Sequence, residues 1–347
     1  MFDPRANSLN ALRLALALLV LVAHAAELGG YGRELQPLGA WAVTGFFCIS
    51  GYLITGSREH SASLRDFLWR RFLRIYPGFL TTLVVVAFVI APAAGRWAGA
   101  GEWSPQGATS YVLRNLAVWI FQPDIDGMLG STPFPGVWNG SLWTLGYEAL
   151  CYLIVGALSL FPGRPRRVCI VVLFLVSTVI VGLHSAGIAV VPGTVSTFSG
   201  LLSSFLAGGL LYLCRDHVVF HGAADVVAAT LVVALAALGV APGLASLPVA
   251  SLLMSASVRL PLARIGTRND ISYGVYIYAF PAQQVLACLF PDTVLPLWAF
   301  IGLSIAVTLP LAWASWLFVE RPALRAKSLF ARTARSRHID RGSTLSA

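Results

Sequence analysis

The 347-residue sequence predicts an all-α fold, a polytopic membrane protein with about ten transmembrane helices. Three observations predict it. The chain is 57% hydrophobic and 11% charged, with mean hydropathy +0.76, whereas a soluble chain carries about a quarter charged residues. Apolar runs of about 20 residues, long enough to cross a hydrocarbon core as helix, recur from end to end. Arginines gather in alternate connections between those runs, which is the positive-inside pattern.

The runs fall at 9–28, 38–55, 76–94, 138–161, 167–185, 195–214, 222–240, 243–258, 269–290 and 294–318. The first, preceded by Arg5 and containing Ala23-His24-Ala25, also fits a signal peptide with its cleavage site. An even number of spans fits an uncleaved first helix better. Between the second and third runs lie Arg58, Arg65, Arg70, Arg71 and Arg74. The stretch FLWRRFLRIYPG is expected as a basic loop just cytoplasmic of the third span. Pro77 then starts or restarts a helix where its missing N–H is harmless. The short stretch 108–122, with Arg114 and Asn115, is expected as an interfacial or re-entrant helix in an outer loop, 95–137.

Arg164, Arg166 and Arg167 follow the fourth run, and 186–194 carries no charge. After the sixth run His217 and His221 stand four apart near Asp216 and Asp225. That spacing suits zinc, but no Cys or further His joins it, so a solvated loop and no metal are expected. The eighth run is short, which leaves nine or eleven spans open. Arg259, Arg264 and Arg268 follow it, and an Arg-rich tail follows the tenth. The net charge of +9 is thus read as topological, with both termini cytoplasmic and no nucleic-acid partner. Residues 1–325 are expected as one membrane-embedded domain and 326–347 as a disordered basic tail. Cys48, Cys151, Cys169, Cys214 and Cys288 lie in or beside spans without CxxC spacing, so no disulfide framework is indicated.

Chemistry is expected where ionisable residues enter apolar helices, because such groups usually face a protein interior or a wet cavity. Arg13 and His24 in the first run are eleven residues, or about three turns, apart. They share one face at a separation of roughly 16 Å. Counted from the outer end of the fourth run, Glu148 is about as deep as His24. The two are therefore expected to meet, the carboxylate fixing the tautomer of a general base. A bland reading of the same residues has Arg13 snorkelling to headgroups and His24 at the interface. Arg71 and Arg74 share a helix face and suit a phosphate. From charge alone, a topogenic loop touching anionic lipid explains them better.

Six motifs add a resemblance. They are Arg13-x10-His24, FFCISGYLI (46–54), RRFLRIYP (70–77), NGSLWTLGYE (139–148), SYGVYIYAFP (272–281) and VERP (319–322). In this order, over roughly residues 8–325, the chain resembles the integral membrane acyltransferase family 3, bacterial enzymes that O-acylate sugars and related acceptors. The resemblance implies His24 as catalytic base with Arg13 supporting it, and Glu148 as orienter or acceptor-site carboxylate. It implies Arg71 and Arg74 as the cytoplasmic site for acyl-CoA, with acetyl-CoA the expected donor. Ser50, Tyr52, Trp143 and Tyr273 are the expected substrate-binding residues, although Gly51 in the SGY motif equally suggests helix packing. Where many relatives carry a histidine this chain has Ala279, which leaves the chemistry to His24.

The expected function is transfer of an acyl group to a hydroxyl of a carbohydrate or glycoconjugate at a bacterial cell membrane. His24 acts as base, or is itself acylated and relays the group. With no appended extracytoplasmic domain, transfer is expected within the membrane domain or through a partner. Two alternatives stay open. One is acylation of a secondary metabolite such as a macrolide. The other is a transporter or flippase, which also uses intramembrane charge but consumes no acyl-CoA. The oligomeric state is not set by the sequence.

Overall fold

Every apolar run becomes helix in the computed structural model, which describes residues 7–188, 191–217, 222–291 and 294–326. The helices are α1 (Leu9–Leu28), α2 (Gln36–Glu59), α3 (Leu64–Val85), α4 (Ala91–Ala98), α5 (Pro105–Asn115), α6 (Trp143–Leu158) and α7 (Gly163–Ser185). They continue with α8 (Gly193–Leu213), α9 (Gly222–Ala237), α10 (Ser246–Arg259), α11 (Ser272–Leu289), α12 (Leu297–Ser315) and α13 (Arg321–Arg325). No strand occurs among the described residues.

Seven helical stretches are long and apolar enough to cross a membrane: α1, α2, α3 with α4, α6 with its preceding turn, α7, α8, and α12 with α13. Each of the ten runs is thus helical, but the expected count of about ten spans is not reached by these seven stretches. Helices α9 and α10 have only 16 and 14 residues, short of the ~20 a straight crossing needs. Three tyrosines and two glutamines leave α11, at 18 residues, less apolar than those seven stretches. His221, His338 and the tail 327–347 lie outside the described residues, and His217 sits in the turn after α8.

Two expectations about the arginine-rich stretch are corrected. It is not a loop: α3 begins at Leu64, where Ser63 accepts a hydrogen bond from Asp66 N at 3.1 Å and Asp66 favours the positive end of the helix dipole. Pro77 therefore lies inside α3 rather than at its start. A π-helical turn, Val86–Ile90, then carries the helix into α4. The stretch 108–122 is helical only to Asn115, in α5. Asn115 then builds the reversal, its Oδ1 accepting from the backbone N–H of Phe121 and Gln122 and its amide donating to Gln122 O.

Helix α2 is central, packed on α1, α8, α10 and α6. It meets α8 backbone to backbone. A Cβ on Gly51 would stand 1.7 Å from Phe205 O, and one on Gly208 would stand 1.9 Å from Cys48 O. Small residues at such crossings let apolar helices gain dispersion contacts that lipid would otherwise supply. On the other side α1 packs on α11 and α12, and α3 closes the bundle against α6 and α11. The start of α1 is tied to the end of α10, with Ser8 N donating to Ser257 O and Ser8 Oγ to Leu260 O.

Polar pins hold α11 in this apolar setting, where an unsatisfied group is costly. Gln283 donates to Leu21 O at 2.8 Å, and Gln284 donates to Phe134 O and Val137 O, each at 2.7 Å. Asn139 donates to Ile277 O at 2.8 Å. The segment before α6 is therefore drawn down beside the middle of α11.

Gly208→Val is expected to destabilise the protein by about 1–3 kcal/mol, the cost of overpacking a tight contact. Thermal unfolding in detergent reads it. Gly302→Ala on α12, where a Cβ meets nothing within 4 Å, is the control and should melt like the parent.

Candidate active site

The inner end of the site is built from charge. Arg13 on α1 and Arg74 on α3 both donate to Asp270 Oδ2, at 3.0 and 2.6 Å. The other oxygen of Asp270 accepts from Ser272 Oγ at 2.5 Å and from Ser272 N at 3.3 Å. Charges this far from water persist only when paired and hydrogen-bonded, and Asp270 uses both its oxygens. The Arg74 guanidinium also lies 5.9 Å from the centroid of the Tyr273 ring. Gly78 makes room for that ring, since a Cβ there would approach it to 2.6 Å. Arg71 has a different partner: its Nη2 is 3.3 Å from Ser57 Oγ, while its buried Nε has no partner among the described residues.

Arg13, Arg71, Arg74, Ser50, Glu148 and Tyr273 line one inner cavity of about 60 Å³. Arg13, Ser50, Glu148 and Tyr273 also line a second, of about 40 Å³, walled by Phe46, Phe47, Leu145 and Tyr276. Val43 and Tyr276 are shared with a third, larger cavity of about 420 Å³ that holds His24. The three chambers run in succession between α1, α2, α6 and α11, from the arginines to the histidine.

The structure corrects the pairing of His24 with Glu148. Glu148 Oε1 accepts from Ser50 Oγ at 2.8 Å and from Tyr152 OH at 2.6 Å, and it lines the two inner chambers only. His24 lies in the outer one, its ring edge-on to Phe280 at 5.3 Å. His24 Nδ1 is buried without a partner among the described residues. The reason is the descent of residues 134–139 along α11. Glu148 follows Asn139 by nine residues, about 13 Å further down at helical rise. Counting from the membrane surface placed it too high.

Tyr52 is also corrected. Two residues on a helix differ by about 200°, so Ser50 and Tyr52 cannot face one cavity. Ser50 faces it, and Tyr52 is buried edge-on against Tyr212 of α8 at 5.3 Å. Trp143 lines the His24 chamber and Tyr273 the inner ones.

Two site residues escaped the sequence reading. Asp270 stands just before a helix, where a single acid looks like a cap; three buried arginines with Glu148 as their sole assigned acid were the available signal. Glu27 is three residues past His24, on the same face of α1, and lines the same outer chamber. Its Oε1 forms an ion pair with Arg33 Nε at 2.7 Å.

The profile of the Acyltransferase domain family matches residues 6–317, and the chain belongs to this family, acyltransferase family 3. It is 30% identical to an O-acetyl transferase of Shigella phage Sf6 over 93% of this chain and 98% of that one. It is 29% identical to Nodulation protein 10 of Rhizobium leguminosarum bv. viciae over 94% of this chain and 95% of that one. Acyltransferase MdmB of Streptomyces mycarofaciens is 33% identical over 43% of this chain and 38% of that one. No solved structure matches the chain. The protein is an acyltransferase and, by its apolar helices and family, a multi-pass membrane protein.

Asp270→Asn is expected to lower both melting temperature and activity, because two neighbouring guanidiniums lose their shared counter-charge. Breaking a pair of this kind costs about 3–5 kcal/mol when fully buried, and less here because the side chains retain 13–19% exposure. Asp270→Glu should recover part of the stability. An Asn variant as stable as the parent counts against the central role of this carboxylate.

Proposed function

We propose that this acyltransferase moves an acyl group, acetyl in the simplest case, from acyl-CoA to a hydroxyl of a carbohydrate or glycoconjugate. The observation that carries the reading is the succession of chambers joining partly buried arginines at one end to a partly buried histidine at the other. Arg71 and Arg74 suit the phosphates of the donor, since a planar guanidinium matches phosphate geometry. The unpartnered Arg71 Nε supports an anion there. The narrow chambers suit the thin thioester arm. The wide one, lined by Glu27, Thr44, Ser196 and Thr197, suits a polyhydroxylated acceptor and falls in the range of about 300–1,000 Å³ usual for ligand sites.

In this reading the acceptor hydroxyl yields its proton to the His24 ring as its oxygen attacks the thioester carbonyl carbon. The carbon–sulfur bond breaks, and CoA leaves as a thiolate that takes up a proton. Arg13 and Asp270 keep Arg74 in place, and Glu148 with Ser50 and Tyr152 shapes the wall along which the arm lies. The acetyl group is supported by the printed name of the phage relative. Ten crossings, with α9, α10 and α11 as shorter or more polar members, put the arginines in the cytoplasm and the His24 chamber outside, in a bacterial inner membrane. The alternation of basic loops supports that orientation.

His24→Ala should cut acyl transfer by about 10²–10⁴, the usual effect of removing a general base, with an unchanged melting temperature. Release of CoA thiol in the presence of acceptor measures it, and a well-folded Ala variant with near-parental turnover ends the histidine mechanism. Arg71→Ala should raise the apparent KM for acyl-CoA, and Arg71→Lys should restore it only in part, more so at low salt. An unchanged KM alongside reduced membrane abundance would instead mark Arg71 as topogenic.

A further inference from the structure

Acyl transfer develops negative charge on the thioester carbonyl oxygen, and that charge needs a donor. We propose that the Tyr276 hydroxyl, held by Thr144, is this oxyanion donor, at the junction between the narrow chamber and the His24 chamber. The role rests on the acyl-CoA reading and adds to it the group that stabilises the transition state. As the acceptor oxygen bonds to the thioester carbon, the carbonyl π pair moves onto its oxygen. The pair returns when the carbon–sulfur bond breaks, and the proton held on His24 goes to the departing thiolate. Tyr276 donates a hydrogen bond throughout and keeps its own proton.

The place is set by the chambers. In that reading the thioester meets His24 where the narrow chamber opens into the wide one. Val43 and Tyr276 line both, and of the two only Tyr276 carries a side-chain donor. The other tyrosines of α11 are unsuited: Tyr273 donates to Ile75 O at 2.8 Å, and Tyr278 lines neither chamber. The Tyr276 ring is buried and set edge-on to Phe46, with centroids 5.6 Å apart. A donor fixed before the reaction needs no reorganisation during it.

The hydroxyl pair supplies the proton. Tyr276 OH and Thr144 Oγ1 are 2.7 Å apart, and either can donate. Two protons serve one mutual hydrogen bond, so one is spare. Thr144 can offer it to Ser141 O only at 3.4 Å, beyond the usual O–H···O range. Tyr276 can offer it to the chamber. A carbonyl oxygen gaining charge is the stronger acceptor, and hydroxyl protons rotate to suit. Thr144 then donates to Tyr276, and Tyr276 to the oxyanion. Thr144 also stands in the first turn of α6, where the positive end of the helix dipole favours negative charge.

The test follows the carbonyl itself. A dethia analogue of acetyl-CoA, with a methylene in place of the sulfur and ¹³C at the carbonyl, cannot lose its acyl group. Bound to the full chain in detergent, its carbonyl resonance is expected downfield of the free analogue, as for a hydrogen-bonded ketone. Tyr276→Phe keeps the ring against Phe46 and should return the resonance toward the free value with little change in affinity. Thr144→Val should return it part of the way, and Thr144→Ser should leave it in place. In turnover Tyr276→Phe should lower kcat by about 10²–10³, the effect of removing one oxyanion donor, with the KM for acetyl-CoA near that of the parent. A Tyr276→Phe protein that melts like the parent and leaves the bound resonance unmoved overturns the assignment. Where that variant melts lower, Thr144→Val reads the same pair with the tyrosine kept, and an unmoved resonance there overturns it. If Arg71→Ala still weakens binding of the analogue in either case, the acyl-CoA reading stands. An analogue that does not bind the parent overturns both.

Discussion

A single carboxylate holds two guanidiniums inside a bundle whose walls are apolar. Arg13 comes from α1, Arg74 from α3, and Asp270 from the turn that starts α11. Lone ions in such surroundings are excluded by their desolvation cost, so the three helices must converge to satisfy one another. That convergence sets the depth of Arg13, and through the straight run of α1 the depth of His24. It also fixes Tyr273, whose ring fills the gap above Gly78 and whose hydroxyl donates to Ile75 O. Site geometry and helix packing are here one interaction.

What the sequence made legible followed from one-dimensional rules. Arg13 and His24 share a face because eleven residues make about three turns. Gly51 in the SGY motif suggested helix packing, and the α8 backbone at Phe205 O does lie where its Cβ would stand. The misreadings came where depth or facing depended on other segments. Glu148 was assigned the depth of His24 by counting from a helix end. That end lies inside the protein, held there by Asn139 on Ile277 and Gln284 on Val137. Those pins join residues more than a hundred positions apart, and no periodicity announces them. The helical start at Leu64 was legible, since Ser63 followed by Asp66 is a capping signal. A run of arginines was instead read as loop, as charge often marks. Tyr52 was ruled out by rotation alone, an inference the spacing already permitted.

The two ends of the chamber series differ in ways that suit opposite tasks. At the arginine end Arg13 and Arg74 are paired with Asp270 while Arg71 keeps an unpartnered Nε, so in the proposed reading an anion meets guanidiniums already oriented. At the outer end one ring nitrogen of His24 is buried without a partner, beside a carboxylate and hydroxyl groups. The carboxylate near the histidine is Glu27, which arises from the same helix turn, while Glu148 serves the arginine side. The single acidic neighbour expected for the base is thus replaced by two acids with separate settings.

Between those ends lies the narrowest chamber, about 40 Å³ and walled by Phe46, Phe47, Leu145 and Tyr276. A cavity of that size holds a few waters at most, and Arg13, Glu148 and Ser50 share its lining with those apolar walls. In the proposed reading only a slender, largely neutral group can pass, and the thioester end of an acyl-CoA has that shape while its phosphates do not. The arginines then hold the charged part of the donor back as the acyl end reaches forward. In that reading, donor binding at the arginine end and chemistry at the His24 end meet through a passage too small for the phosphates.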